Sequence, residues 1–223
     1  MRYEHLKAIF LASGGDDAIV DICLRLADGN WSAMMSEARL AVLLKGEVPA
    51  DGLRPVACGE VLRRVTGRAL LQVMLPEIEK MMLAVNQFAF SADGCLVAYN
   101  IIRDLLAHNP DWVVVATDLS CAFQRISRAA AGRFLLTHFP GLVPYYEACY
   151  GHFADLHYGE NVITSETGAQ QGCAWGTLIC AAGHHDRLAA LQEAHLGVTF
   201  VTIVDDVFMV GPAAATAAAS VDF

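Results

Sequence analysis

The sequence predicts an α+β fold in which helices back a small antiparallel sheet. Three observations carry that prediction. Apolar residues recur at helical spacing through most of the first 108 residues. An unbroken apolar run, Trp112 to Thr117, ends on Asp118. The stretch Val198–Gly211, VTFVTIVDDVFMVG, places apolar, mostly β-branched runs on both sides of Asp205-Asp206. Such runs read as strands and the acidic gap as a turn, so this stretch is a hairpin with two carboxylates at its tip.

The elements follow in chain order. Leu6, Ile9 and Phe10 share one helical face, and Ile19, Ile22, Cys23 and Leu26 another. Ser13-Gly14-Gly15-Asp16 breaks the two helices apart, and Asp28-Gly29-Asn30 ends the second. Asp16 and Asp17 fit the first turn of a helix, where capping and the helix dipole favour acid. A third helical piece is expected over Met34–Leu44, closed by Gly46. Residues 45–59 are turn-rich and lead into Leu53-Arg54-Pro55-Val56, followed by a helix through Glu60–Arg68 and Ala69–Val85. Gln87–Gly94 is a loop, and Cys95–His108 an amphipathic helix ended by Asn109-Pro110-Asp111. Trp112–Asp118 is then a buried strand. Helices are expected over Ser127–His138 and Val143–Tyr150, separated by Phe139-Pro140-Gly141. Asn161–Ser165 reads as an edge strand and Gly168–Gly172 as a polar loop. A helix follows from Trp175 toward Ala194, with His184 and His185 on its surface. The alanine-rich tract after Pro212 begins a helix.

Composition narrows the function. At 223 residues and 55% hydrophobic, the chain has room for a sizeable core. Its formal net charge of −9 is the wrong sign for a generic nucleic-acid binder, so basic parts of such a binder would lie outside this chain. Five of its fifteen Lys and Arg nevertheless gather at Lys45, Arg54, Arg63, Arg64 and Arg68, whose plainest reading is a solvated helix face. Seven cysteines stand singly with no zinc spacing, as expected of reduced, mostly buried thiols in an intracellular protein. Arg2, Glu4 and Lys7 are too charged for a secretory signal, and no apolar run reaches the length of a membrane span. Asn30-Trp31-Ser32 is then a chance glycosylation triplet. There is no P-loop, dinucleotide fingerprint or Gly-x-Ser-x-Gly elbow.

Asp118 ends a strand, and Asp205 and Asp206 sit at a hairpin turn. Carboxylates at neighbouring strand ends converge and repel, and divalent cations relieve the repulsion. Taken alone the acidic pair reads equally well as a hairpin tip in water. Several segments in order add more. Asp118-Leu119-Ser120-Cys121-Ala122-Phe123 resembles the first palm motif of reverse transcriptases. Gly168-Ala169-Gln170-Gln171-Gly172 resembles their second motif, and Ile203-Val204-Asp205-Asp206 their third. Leu53-Arg54-Pro55-Val56 and Gln87-Phe88-Ala89-Phe90 resemble fingers segments of the non-LTR retrotransposon enzymes.

The resemblance implies a polymerase palm over 111–223, a fingers-like segment over 51–110 and a helical N-terminal segment over 1–50. It implies RNA-directed DNA polymerase chemistry with two Mg²⁺ or Mn²⁺ ions held by Asp118, Asp205 and Asp206. Phe123 would screen the sugar 2′ position. Gln171 and Gly172 would meet the incoming nucleotide, as would Arg54, while Arg63 and Arg64 would contact template or primer. The partners implied are an RNA or DNA template with its primer and deoxynucleoside triphosphates, with no membrane. The sequence departs from the family at Cys173, Ala174 and Thr177, at Ile203 where an aromatic is usual, and at Gln124 where Asp or Asn is frequent. A thumb is expected elsewhere, in a longer polyprotein. The alternative is an inactive palm remnant serving as a scaffold, and a less favoured one an RNA-templated RNA polymerase or a nucleotide cyclase with the same palm.

Overall fold

The computed structural model describes residues 3–31, 35–48 and 52–223. Ser32 of the Asn-Trp-Ser triplet and Met34 of the expected third helix lie outside them. The elements run α1 (Tyr3–Phe10), α2 (Gly15–Ala27), β1 (Ala38–Leu44), β2 (Leu53–Gly59), α3 (Val61–Leu83), α4 (Gly94–His108) and β3 (Trp112–Asp118). They continue with α5 (Ala122–Arg125), α6 (Arg128–His138), α7 (Val143–Tyr150), β4 (Ala154–Tyr158), β5 (Asn161–Ser165) and α8 (Gly176–Ala194). The chain closes with β6 (Thr199–Ile203), β7 (Asp206–Pro212) and α9 (Ala213–Asp222). Two compact units result, one of Met1–Val73 with Leu135–Gly176, the other of Met74–Phe134 with Thr177–Phe223.

The first unit holds a four-stranded sheet in the order β2-β1-β4-β5. The β1–β2 and β4–β5 pairs are antiparallel, whereas β1 lies parallel to β4 through Ala38–Leu156 and Arg39–His157. Strand β1 overturns the expected helix over Met34–Leu44. The run Leu40–Leu44 is apolar throughout, so its spacing does not separate the two periods, and a partner strand decides between them. That partner is β2, in the stretch read as turn-rich. Leu6, Ile19, Leu26 and Leu62 form a core joining α1, α2 and the start of α3. Gly14, with φ 69, makes the break ahead of α2, and Asp16 and Asp17 occupy that helix's first turn.

The second unit holds a fully antiparallel three-stranded sheet in the order β3-β7-β6. Its pleat divides the core. Phe200, Val207 and Met209 pack with Leu188 and Leu191 of α8 and Ala219 of α9. Val201 and its neighbours Ile203 and Phe208 pack with Ala98, Ile101 and Ile102 of α4. The expected hairpin is therefore present and its strands are buried on both faces. Strand β3 is present with the expected bounds but is not buried: Val113 is 37% and Val114 42% exposed. Among the described residues it pairs with β7 alone, so it stands at the edge of this sheet and its apolar run does not bring full burial.

Two smaller expectations also change. All seven cysteines are free as expected, but only Cys149 and Cys180 are buried, while Cys58, Cys95 and Cys121 are exposed. His185 is not a surface residue: it is 8% exposed and its ring lies 4.7 Å from that of Phe134. The next residue, Asp186, about 100° further around α8, is exposed, and the aromatic neighbour of His185 on α6 is not visible from local spacing.

Candidate active site

The β3–β7 register places Asp118 directly opposite Asp206. Cross-strand partners project to the same side of a sheet, so these two carboxylates face the same way. Thr117 reinforces the register, its hydroxyl donating to the Val207 carbonyl at 3.1 Å. On the other side, Ile203 pairs with Asp206, leaving Val204 and Asp205 as the two turn residues. The third carboxylate thus sits at the turn next to the pair.

Like charges opposed across a ladder destabilise it. The pKa of Asp206 is accordingly raised, by partial burial first and then by the charges of Asp205 and Asp118. Asp118 and Asp206 are exposed and Asp205 is half-buried, so the site opens to solvent. Among the described residues no three His, Cys, Asp or Glu side chains stand close enough to hold a metal ion as placed. The donor chemistry still suits Mg²⁺ or Mn²⁺, because three carboxylates supply hard oxygen ligands and excess negative charge on one strand end.

Two residues of α8 feel this charge: Cys180, which was not expected near the acidic pair, and His184, which was read as helix surface. The Cys180 thiol is pushed up to about 12 by burial, with Asp205 adding to the shift. The pKa of His184 is lowered by burial, against an opposing pull from Asp205, and its buried Nε2 has no hydrogen-bond partner among the described residues. No sequence signal marks this neighbourhood, since it depends on how α8 lies beneath the hairpin. Phe123 stands half-buried on the short helix α5, five residues beyond Asp118. The turn before it contains Cys121 at φ 56.

The other residues expected from sequence, Gln171, Gly172, Arg54, Arg63 and Arg64, belong to the first unit. The Gln171 carbonyl accepts a 2.6 Å bond from the Ala57 amide, pinning the loop to β2. Gly172 has φ 96, and a Cβ there would meet the Ala57 carbonyl oxygen at 2.8 Å. Only glycine fits both conditions without strain. Arg54 is exposed on β2. Arg64 is exposed on α3 and, with Arg68, Gly172 and Ala174, lines a cleft of about 340 Å³.

Arg63 corrects the sequence reading. It was expected to meet template or primer, yet it is only 2% exposed. Its guanidinium donates to the Ser36 carbonyl at 2.9 Å and the Gln170 side-chain oxygen at 3.2 Å, and lies 3.8 Å from the Cys173 sulfur. It also faces the rings of Tyr150, 5.6 Å away, and Trp31, 6.0 Å away. Helical geometry explains the error: Arg63 and Arg64 are about 100° apart around α3, so one turns inward when the other turns outward. The inward arginine ties the polar loop to α3. Trp175 does the same from the loop's end, donating to the Gly67 carbonyl at 2.8 Å.

No protein-family model matches the chain, and no characterised protein matches it by sequence. Its structure does have solved counterparts. Apo telomerase from Candida tropicalis aligns with a TM-score of 0.60 and 12% identity, over 86% of this chain and 42% of that one. Telomerase from Candida albicans in complex with a TWJ fragment of telomeric RNA aligns with a TM-score of 0.59 and 11% identity, over 83% of this chain and 39% of that one. A Candida tropicalis telomerase truncated from its C-terminal domain gives a TM-score of 0.56 and 15% identity, over 86% and 46%. This chain spans less than half the length of each of these structures. At these identities the likeness is one of fold: the mixed α+β arrangement of helices about small sheets is similar to that of the telomerases.

Proposed function

We propose that this chain carries the fingers-and-palm part of a template-directed nucleotidyltransferase of reverse-transcriptase type. The observation that carries the reading is the register that sets Asp118 against Asp206, with Asp205 in the adjoining turn. The fold similarity to telomerases supports the same class. The order of the motif-like segments favours the non-LTR retrotransposon group among its members.

In the reaction proposed, a primer 3′-hydroxyl oxygen bonds to the α-phosphorus of a deoxynucleoside triphosphate. The bond from that phosphorus to the bridging oxygen breaks, pyrophosphate leaves, and the hydroxyl proton passes to solvent water. Asp118, Asp205 and Asp206 would hold two Mg²⁺ or Mn²⁺ ions, which when bound supply charge neutralisation and Lewis acidity. The chain's own groups orient the reactants. Phe123 limits space at the sugar. Gln171 and Gly172 present loop backbone and amide to the nucleotide. Arg54 offers charge to the triphosphate, and Arg64, with Arg68 beside it, meets phosphates of template or primer. Arg63 serves indirectly, by seating the loop. The −9 charge is the wrong sign for holding nucleic acid, so firm primer–template binding would draw on basic groups outside this chain.

Primer extension with Mg²⁺ or Mn²⁺ tests the proposal, comparing the wild type with Asp118→Asn. Template-dependent synthesis should fall by at least about 100-fold in the variant while its melting temperature holds. Lost activity with a lost fold would make Asp118 structural. No extension by the wild type under either metal would favour the inactive-remnant reading.

A further inference from the structure

The turn that carries the acidic pair is held in a costly conformation. Val204 has φ 57 and occupies the first central position of the two-residue hairpin loop. A positive φ at that position alone is the pattern of a II′ turn, where glycine is the usual occupant. A β-branched residue there is strained and persists only where its surroundings over-determine it.

Gln87 supplies the restraint. Its side chain meets the main chain of Val204 twice: the Val204 amide donates to Oε1 at 2.7 Å, and Nε2 donates to the Val204 carbonyl at 3.0 Å. Oε1 also accepts from the Ala89 amide at 3.2 Å. Gln87 is itself fixed. The Phe88 amide donates to the Thr202 carbonyl at 2.8 Å, and the Thr202 amide donates to the Asn86 carbonyl at 2.9 Å. The Thr202 hydroxyl adds a 3.0 Å bond to the same Asn86 oxygen. These bonds lay residues 86–88 along the outer edge of β6 as a one-bridge extension of the sheet. Gln87 is 1% exposed, so its amide is committed to this brace and not to solvent.

We propose that Gln87 is a positioning residue for the carboxylate site: by clamping the Val204 peptide it fixes the directions of Asp205 and Asp206, and so sets the affinity for divalent cations. This rests on the metal-binding reading of those carboxylates. Asp205 directly follows the clamped residue and Asp206 begins β7, so a turn relaxed to another φ re-aims both. The alternative role, a buried amide that merely satisfies local backbone groups, makes a different prediction. A structural brace should not be rescued by removing strain at Val204, whereas a turn-holding brace should.

The test measures Mn²⁺ binding by the loss of the free-ion paramagnetic resonance signal, alongside thermal unfolding, for four chains. They are the wild type, Gln87→Ala, Val204→Gly and the double variant. Gln87→Ala should weaken Mn²⁺ binding by about tenfold or more, the usual effect of losing an outer-shell partner. Val204→Gly in that background should restore binding to within about threefold of wild type, since glycine adopts the turn unaided. In melting, the two substitutions should be non-additive, with the double variant more stable than the sum of the single effects. Unchanged Mn²⁺ affinity in Gln87→Ala, or no rescue by Val204→Gly, overturns the proposal. A wild type that binds no Mn²⁺ overturns both the metal-site reading and the proposed effect on affinity. The melting cycle still decides the brace in that case: additivity removes it and non-additivity upholds it.

Discussion

Gly67→Ala sets two known effects against each other and so tests the packing that seats the polar loop. Gly67 lies on α3, where alanine is favoured over glycine by about 1 kcal/mol. A Cβ there, however, would stand 2.5 Å from the Tyr145 hydroxyl oxygen, 3.2 Å from its Cζ and 3.4 Å from Trp175 Cδ1. Ordinary contact begins near 3.4 Å, so the shortfall to the hydroxyl is 3.4 − 2.5, or 0.9 Å. Tyr145 has little freedom to give way. It is 1% exposed, its hydroxyl donates to the Arg63 carbonyl at 2.7 Å, and its ring packs 4.6 Å from Trp175 and 5.3 Å from Trp31. Overpacking of this kind costs about 1–3 kcal/mol, and withdrawing the hydroxyl forfeits about 1 kcal/mol more. The overlap therefore outweighs propensity, with a net loss of about 2 kcal/mol and a melting temperature lower by about 4–8 °C at this chain length. Scanning calorimetry should show that shift. Tyr145→Phe alone should cost about 1 kcal/mol, the value of one hydrogen bond. Combined with Gly67→Ala it should cost less than the sum, because the atom in the way is gone. A Gly67→Ala chain that melts higher than wild type, or strict additivity in the pair, would refute the reasoning.

Two further predictions concern buried ionisable groups. Arg63→Met leaves the Gln170 side-chain oxygen without its donor and removes two ring contacts, and should lower stability by about 2 kcal/mol; equal or higher stability by chemical denaturation would mean that the cost of burying the cation exceeds what its partners return. His184 should make the cation-free chain less stable in mild acid. Its folded pKa lies below the ordinary 6.5, so as pH falls through that value the unfolded chain takes up the proton first, and stability declines until the folded pKa is passed. In the presence of chelator, melting temperature should drop more between pH 7.5 and 5.5 for the wild type than for His184→Gln, and matching profiles would count against the assignment.

Much of the second unit was legible because its signals are local. The run ending at Asp118 and the two runs around Asp205-Asp206 have strand composition and turn punctuation, and the strands form where those signals stand. The acidic constellation followed from order along the chain. Its register, Asp118 against Asp206, did not, because nothing in either strand alone specifies the partner residue. The first unit was harder. Its β1 is a run of leucine, alanine and valine that suits a helix as well, and only pairing with β2 and, in parallel, with β4 selects the strand. Burial of single residues was least legible. Arg63 and Arg64 look alike in sequence, yet one is in the core and the other at a cleft, because a single step along a helix reverses the environment. Gln87 shows the same limit: its partner is the main chain of Val204, and main-chain partners leave no mark on the residue types that surround them.

The exposed edge of β3 bears on how copies of this chain behave toward one another. Among the described residues β3 has a strand partner on one side only, and its Val113 and Val114 side chains are accessible. Such an edge is a template on which another copy's strand can add. What opposes that addition is charge: every copy carries −9, and the strand itself ends in Asp118. The acidity that disfavours nucleic acid thus acts as colloidal protection for this edge. It is protection with a short reach, about 10 Å in 0.1 M salt and about 3 Å in 1 M. Concentrated salt therefore removes the repulsion that keeps these edges apart.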